Sequence, residues 1–300
     1  MNETYECIPN YSVGEDEETI ERIAGCFDEE EGVNLVDYSA DRDHNRLVIT
    51  AIGSPEGLID SCLKSVRVAV EKIDMNEHEG GHPRMGAVDV IPFVPVKNAT
   101  MDQAVEVARS LGEKVGGQFN IPVYLYEKAA TAPGRKNLAD IRRGEFEGFF
   151  DKISRDEWTP DFGPNKLHPT AGVTAIGARK PLVAFNVNLR TDDLAIAKKI
   201  SRRVRHSSGG FRYCKAMAVD LEEDNLSQVS MNMTDYTRTP LHLVYELIKS
   251  EADRYGVEVA ESEIIGVTPA ETLLAAARRY LQLNQFSSDQ VIENRLLEDL

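Results

Sequence analysis

Apolar positions recur along this chain with two periods, and the switches between them lay out its elements. An apolar run from Tyr5 to Pro9 predicts a first strand, and Ile20, Ile23, Ala24 and Phe27 recur at helical spacing behind it. Val33 to Tyr38 and Arg46 to Ile52 predict two strands joined over the polar turn Asp41-Arg42-Asp43-His44-Asn45. Ser54 followed by Pro55 is an N-cap and first-turn pair. It opens a helix whose apolar face is Leu58, Ile59, Cys62, Leu63, Val66, Val70 and Ile73. A fourth strand runs from Ala87 to Val94. The order is β-α-β-β-α-β, the split βαβ or ferredoxin-like arrangement. A helix from Met101 to Val115 and a strand from Ile121 to Tyr126 are added to it, with Pro122 near the strand's start, where a missing N–H is tolerated.

After a strand at Val173 to Ile176, the same order returns. Leu182 to Asn188 is a strand and Asp192 to Val204 a helix; Arg212 to Leu221 and Leu226 to Met233 are paired strands. A helix opens at Thr239 with Leu241, Val244, Leu247, Ile248 and Ala252 on one stripe, and Val257 to Ile265 closes the set. The pattern therefore predicts an α+β protein. It has two ferredoxin-like (βαββαβ) subdomains, residues 1–180 and 181–300, packed together with a ligand cleft between them. Ala270 to Leu283 is a terminal helix and the tail from Ser287 is amphipathic. The repeat lies in element order, without sequence self-similarity.

Charge narrows the partners. Thirty-four Lys and Arg stand against 50 Asp and Glu, a net −16 over 300 residues. That balance argues against nucleic acid and anionic membranes as partners, and no aromatic-rich basic strand motif points to RNA. No apolar run reaches membrane-span length, and the start, Met-Asn-Glu-Thr-Tyr-Glu, lacks the features of a signal peptide. Cys7, Cys26, Cys62 and Cys214 are scattered without a C-x-x-C and read as reduced thiols. The expected location is the cytoplasm.

The least ordinary stretch is Glu79 to Val96, where a helical pattern has ended and a buried strand begins. Gly80 and Gly81 widen the accessible backbone, while Pro83 fixes its own φ and pushes His82 towards extended geometry. His82 is thus expected on a stiff, non-helical turn at a strand's mouth, a good place for a group that titrates near neutral pH. The bland alternative is a loop histidine satisfied by a backbone partner. The run His78-Glu79-Gly80-Gly81-His82 spells H-E-x-x-H, but that zinc motif needs a helix, which two glycines and Pro83 oppose. No metal is expected.

Arg84 is a candidate carboxylate contact through its bidentate fork, or else a structural bond to loop carbonyls. Residues 127–170 read as a functional loop or a domain connection, with a short helix at Phe146 to Ile153 and the only Trp, Trp158. The basic segment Arg202 to Arg212 is either an anion dock or a set of cations favoured at a helix C-terminus. There is no P-loop and no nucleotide-binding glycine fingerprint in the right context.

Several runs resemble the formiminotransferase family of histidine breakdown. They are Glu6-Cys7-Ile8-Pro9-Asn10, Ile73-Asp74-Met75, Gly81 to Val90, Pro122 to Tyr126, Asp161-Phe162-Gly163-Pro164, Gly177-Ala178-Arg179-Lys180 and Ala184-Phe185-Asn186-Val187-Asn188. They follow family order from residue 6 to about 275, and the run around His82 is the most specific. The resemblance implies two βαββαβ subdomains in a monofunctional form without the fused cyclodeaminase domain. It also implies transfer of a formimino group between N-formimino-L-glutamate and tetrahydrofolate, which is co-substrate, with L-glutamate as the other product.

His82 aligns with the family's catalytic histidine. An imidazole suits the step, because an amine must lose a proton to attack the formimino carbon and a leaving nitrogen must gain one. Residues 163–172 align with the family's folate-binding segment. Gly163, Pro164, Pro169 and Gly172 match it, and Lys166 and His168 fall in its variable middle. The family carries an acidic residue near the end of the second strand. Ser39 stands there in this chain, leaving Asp37 and Asp41 as candidate supporting carboxylates. The family is homodimeric. Two other readings stay open: formyl transfer from 5-formyltetrahydrofolate on the same fold, and a non-catalytic folate or amino-acid sensor.

Overall fold

The computed structural model describes residues 3–221 and 225–298. The chain forms two compact units, residues 1–179 and 180–300. In the first, strands β1 (Thr4–Cys7), β2 (Asn10–Tyr11), β3 (Val33–Asp41), β4 (Arg46–Gly53) and β5 (Val88–Lys97) alternate with helices α1 (Glu17–Asp28) and α2 (Pro55–Lys72). After them come α3 (Met101–Phe119), β6 (Val123–Glu127), α4 (Leu138–Arg142), α5 (Glu145–Lys152) and β7 (Thr174–Ala178).

The strand expected over Tyr5 to Pro9 is β1, which stops at Cys7; the chain resumes as β2 beyond Ile8-Pro9, and the two together act as one strand, antiparallel between β4 and β5. Pro9 has no N–H to give to a ladder, which accounts for the break; its carbonyl still accepts from Ile49 N at 3.0 Å. β3 pairs with the outer side of β4, so the first four strands have the ferredoxin-like order. β7 then adds parallel to β5, and β6 parallel to β7.

The helices start where their caps dictate. Asp16 accepts from Thr19 N ahead of α1, Ser54 accepts from Gly57 N ahead of α2, and Thr100 and Gln103 form a reciprocal capping box on α3. Their apolar faces cover one side of the sheet and make the main core, with Phe27, Leu58, Val66 and Leu111 fully buried. A smaller core covers the other side of β5, β6 and β7, where Ile141 of α4 and Phe149 of α5 pack with Tyr124, Val90 and Met85. β5 is consequently buried from Val88 to Val94, including Asp89. A carboxylate in such a strand must be bonded.

The second unit repeats the scheme with β8 (Val183–Leu189), α6 (Leu194–Val204), β9 (Cys214–Leu221), β10 (Leu226–Met233), α7 (Leu241–Arg254) and β11 (Val259–Ile265). Its sheet order is β11-β8-β10-β9, again ferredoxin-like and antiparallel throughout. Val183, Phe185, Val187 and Leu189 of β8 pack with Ile200 and Val204 of α6 and with Val244 and Ile248 of α7. α8 (Ala270–Leu281) and α9 (Ile292–Glu298) follow, and α8 buries only Thr272. Among the described residues no helix is long and apolar enough to cross a membrane.

Several bounds differ from the pattern by a few residues, and two differences bear on the site. Asp41 closes β3 rather than opening the turn. α4 lies inside the stretch read as loop, because five residues with one buried anchor, Ile141, are too short to show a period.

Candidate functional site

The loop between α2 and β5 is clamped on both sides. Gly81 N donates to Asp43 O at 3.0 Å. A Cβ on Gly80 would come within 2.6 Å of His44 O, so only glycine lets the loop lie flat on the turn after β3. On the other side a Cβ on Gly86 would meet Val173 O at 2.1 Å. Held this way, His82 is half-buried on a non-helical backbone. It lines a narrow crevice with Asn10, Ser12, Asn45, Arg46 and Asp89. The H-E-x-x-H letters thus do not stand on a helix, and His78 spends Nε2 on Asn45 O at 3.0 Å.

Cations dominate the crevice. Burial pushes the His82 imidazole down to about 3, the Arg46, Arg142 and His44 charges push the same way, and Asp41 opposes them. These influences favour the neutral ring and disfavour a proton on it while the cations around it stand uncompensated. The Arg46 guanidinium is itself pushed below its usual range by burial and then by Arg142, while Asp41 and Asp89 pull it up. Its Nε is buried without a hydrogen-bond partner, and so is Nε of Arg142. Asp89 is the carboxylate bonded within this group. Oδ1 accepts from Met85 N at 3.0 Å, and Oδ2 accepts from Arg142 Nη2. Met85 lies three residues past His82, so Asp89 ties the loop, the strand and α4 together.

The residues expected from the sequence take distinct places. Arg84 is not an open carboxylate receptor: Nη1 holds Glu145 at 3.1 Å and Nη2 holds Glu147 at 2.7 Å. Its fork locks α5 onto the loop, and Phe146 N donates to Arg84 O at 2.9 Å beside it. Asp37 is exposed on β3. Asp41 accepts from His44 N at 2.9 Å and pairs with its ring Nδ1 at 2.8 Å. Burial works against the Asp41 charge, yet these bonds hold its carboxyl below the usual range. Asp41 thus reaches His82 through its charge alone.

Residues 163–172 run alongside the His82 loop. Met75 N donates to Thr170 O at 2.8 Å, Asn76 Nδ2 to Pro169 O at 2.8 Å, and Gly172 bridges Gly86. Gly163 and Gly172 have φ of +81° and +67°, and a Cβ on either would strike a carbonyl at 2.4 Å. Lys166 is exposed and Pro164 half-buried. His168 Nδ1 accepts from Ala171 N at 2.9 Å and Thr170 N at 3.3 Å. That fixes its tautomer and leaves Nε2–H as an outward donor. The basic segment near residue 205 belongs to the second unit. There Arg203 faces Glu251 at 3.5 Å and Arg205 Nε donates to Ser208 Oγ at 2.8 Å.

Three residues of the crevice escaped the sequence reading: Arg46, Asp89 and Arg142. Asp89 carries a usable signal, an acid inside the apolar run Val88 to Val94. Arg46 looks like an ordinary strand-opening residue, and Arg142 hides in the short α4.

Comparison with known proteins gives the chain's family. Residues 4–179 match the model for the formiminotransferase domain, N-terminal subdomain, and residues 184–297 match that for the formiminotransferase domain. The chain is 47% identical over 298 residues to glutamate formimidoyltransferase of Streptococcus pyogenes serotype M1, covering 99% of this chain and 100% of the relative. It is 43% identical over 293 residues to the glutamate formimidoyltransferase of Thermoplasma acidophilum, covering 97% and 96%. It is 40% identical over 285 residues to the formimidoyltransferase-cyclodeaminase of Rattus norvegicus, 93% of this chain and 53% of that protein.

Proposed function

The chain belongs to the formiminotransferase family, and from that premise we propose that it is a glutamate formimidoyltransferase in which His82 moves the proton. The reaction joins N-formimino-L-glutamate and tetrahydrofolate to give 5-formiminotetrahydrofolate and L-glutamate. Tetrahydrofolate supplies the nitrogen that takes the formimino group. The observation that carries the reading is the neutral, half-buried His82 held on a rigid turn among cations. A neutral imidazole accepts a proton from an attacking amine, and the same ring returns it to the departing nitrogen.

Residues 163–172 fit the folate. Gly163 and Gly172 keep the backbone close to its neighbours, and His168 offers a fixed N–H donor beside them. Gly163, Pro164, Lys166, His168, Pro169 and Gly172 are the residues that would hold it. Asp41 supports His82 through its charge. The same reading has the protein act in histidine degradation, in the cytoplasm, as a homodimer.

The test mixes tetrahydrofolate with N-formimino-L-glutamate and follows 5-formiminotetrahydrofolate by absorbance and mass. Wild type is expected to form it and folded His82→Ala to form none measurable. Product from 5-formyltetrahydrofolate and glutamate alone would move the assignment to the formyl donor. Folate binding without any turnover would make the chain a sensor.

A further inference from the structure

We propose that Arg46 and Arg142 form the receptor for the α-carboxylate of the amino-acid substrate. The inference rests on the transfer reaction proposed above and names the group that recognises its substrate beside His82.

Arg46 lines the crevice beside Asp89, and Arg142 is bonded to that carboxylate. Arg142 uses Nη2 on Asp89, and Nε of each arginine is buried with no partner. A buried, unsatisfied donor on a cation is costly unless a ligand meets it. The charge states of the neighbourhood say the same. The Arg142 charge disfavours that of Arg46, and both disfavour a proton on His82. The groups facing them are Asp89 from β5, Asp41 from the end of β3, His44 from the turn after it, and His82 from the loop. Asp41 is already bonded to His44, and each oxygen of Asp89 is engaged, one by Met85 N and one by Arg142. The other arginine of the loop, Arg84, is filled by Glu145 and Glu147. What the crevice lacks is one more anion, and a guanidinium fork selects a carboxylate.

Chemistry decides which carboxylate. In N-formimino-L-glutamate the reacting nitrogen and the α-carboxylate are bonded to the same carbon, while the γ-carboxylate lies three carbons further out. His82 must reach that nitrogen, so the carboxylate held by cations next to His82 is the α one. Once seated, this anion offsets the two arginine charges and brings His82 back towards the range where a proton transfers easily. Substrate binding and activation of the base are one event in this arrangement.

The experiment pairs a change in the protein with a change in the substrate. N-formimino-L-glutamate and its α-amide are assayed with wild type, Arg46→Lys and Arg142→Lys. Binding of the unreactive N-formyl-L-glutamate is measured in parallel by calorimetry. Each lysine variant is expected to raise KM for N-formimino-L-glutamate and weaken the N-formyl-L-glutamate complex on the order of 10- to 100-fold, the loss of one charged hydrogen bond. KM for tetrahydrofolate is expected to stay unchanged. With the α-amide, wild type and variants are expected to be equally poor, because the group the arginines hold is gone; the wild-type half of this arm, a loss against N-formimino-L-glutamate, needs no variant to fold. Full wild-type use of the α-amide, or arginine dependence erased by the γ-amide instead, overturns the assignment. Failure of wild type to turn over N-formimino-L-glutamate at all sinks the function itself, and calorimetry then still decides whether the arginines hold an α-carboxylate.

Discussion

The two units have the same order of strands and helices but treat charge in opposite ways. In the second unit the buried Glu251 faces two exposed arginines, Arg203 and Arg254, whose far sides are open to water. On β8 and β10, Asn186, Asn188 and Gln228 meet Glu261 and Glu263 in a ladder in which amide and carboxylate answer each other. In the first unit, Arg46 and Arg142 each bury an Nε without a partner, Asp89 is bonded to Arg142, and the charges of both arginines disfavour a proton on His82. Around these residues the second unit matches its ionisable groups, whereas the surroundings of His82 hold two guanidinium Nε atoms without a partner. An unmatched cation is costly to keep folded, and sites that bind or react are where such costs collect.

The largest expected effect is on catalysis. Removing the proton-transfer group in His82→Ala should lower kcat by roughly 10²- to 10⁴-fold, the usual share of general acid–base catalysis, with KM values little changed. Steady-state kinetics on the folded variant checks it. An equal loss from a histidine of the second unit, such as His242→Ala, would erase the distinction drawn between the units.

Next comes stability. Asp89→Asn keeps the shape and one acceptor but leaves Arg142 as a buried cation without its counter-charge. Breaking a buried pair from one side costs about 3–5 kcal/mol, and the retained acceptor puts this change near about 3 kcal/mol. Denaturant unfolding of the variant measures it, and the loss should fall in the transition of the first unit.

A smaller effect links pH to folding. His82 titrates near 6.5 when unfolded and is pushed down to about 3 in the folded chain. The unfolded state therefore binds more protons between these values, and stability rises with pH across that window. The contribution is fully present above about 6.5 and is lost as the pH falls towards 3. For a half-buried ring, solvent screening reduces it to on the order of 2 kcal/mol. Denaturation midpoints at pH 7 and pH 4.5 should converge when His82→Asn is compared with wild type. The imidazole resonances of His82 should stay in their neutral positions over the same range.

Much of this was legible in the sequence, for reasons that can be stated. Both ferredoxin-like units follow from apolar periods of two and 3.6, because their helices are long enough to show a stripe and their caps, Ser54-Pro55 above all, are spelled out. The His82 turn was legible because Gly80, Gly81 and Pro83 constrain it locally, and its contact with residues 163–172 agrees with the segments singled out. The carboxylate receptor was not. Arg84 stood out in sequence for its bidentate fork, and that fork closes on α5, whose Glu145 and Glu147 lie about 60 residues away in the chain. Arg46 and Arg142 are nearly 100 residues apart and come together only through Asp89 and the sheet. Local pattern reports what neighbours in sequence enforce; a pair assembled by topology leaves no such mark.

The smallest expected effect tests the other half of the comparison. Glu251 of α7 is buried, and its partners Arg254 and Arg203 are more than half exposed, at 62% and 63%. If the second unit's charges are matched to water as well as to each other, Glu251→Gln should cost no more than about 1 kcal/mol, as for surface ion pairs. The freed guanidiniums remain hydrated, and glutamine keeps an acceptor for Arg254 Nη1, which now lies 3.0 Å from each carboxylate oxygen. A double-mutant cycle with Arg254→Met measures the pair directly. A coupling of 3 kcal/mol or more would mean that water does not stand in for the lost partner here. The contrast with Asp89 would then be one of degree, and the unmatched cations of the first unit would lose their value as a mark of function.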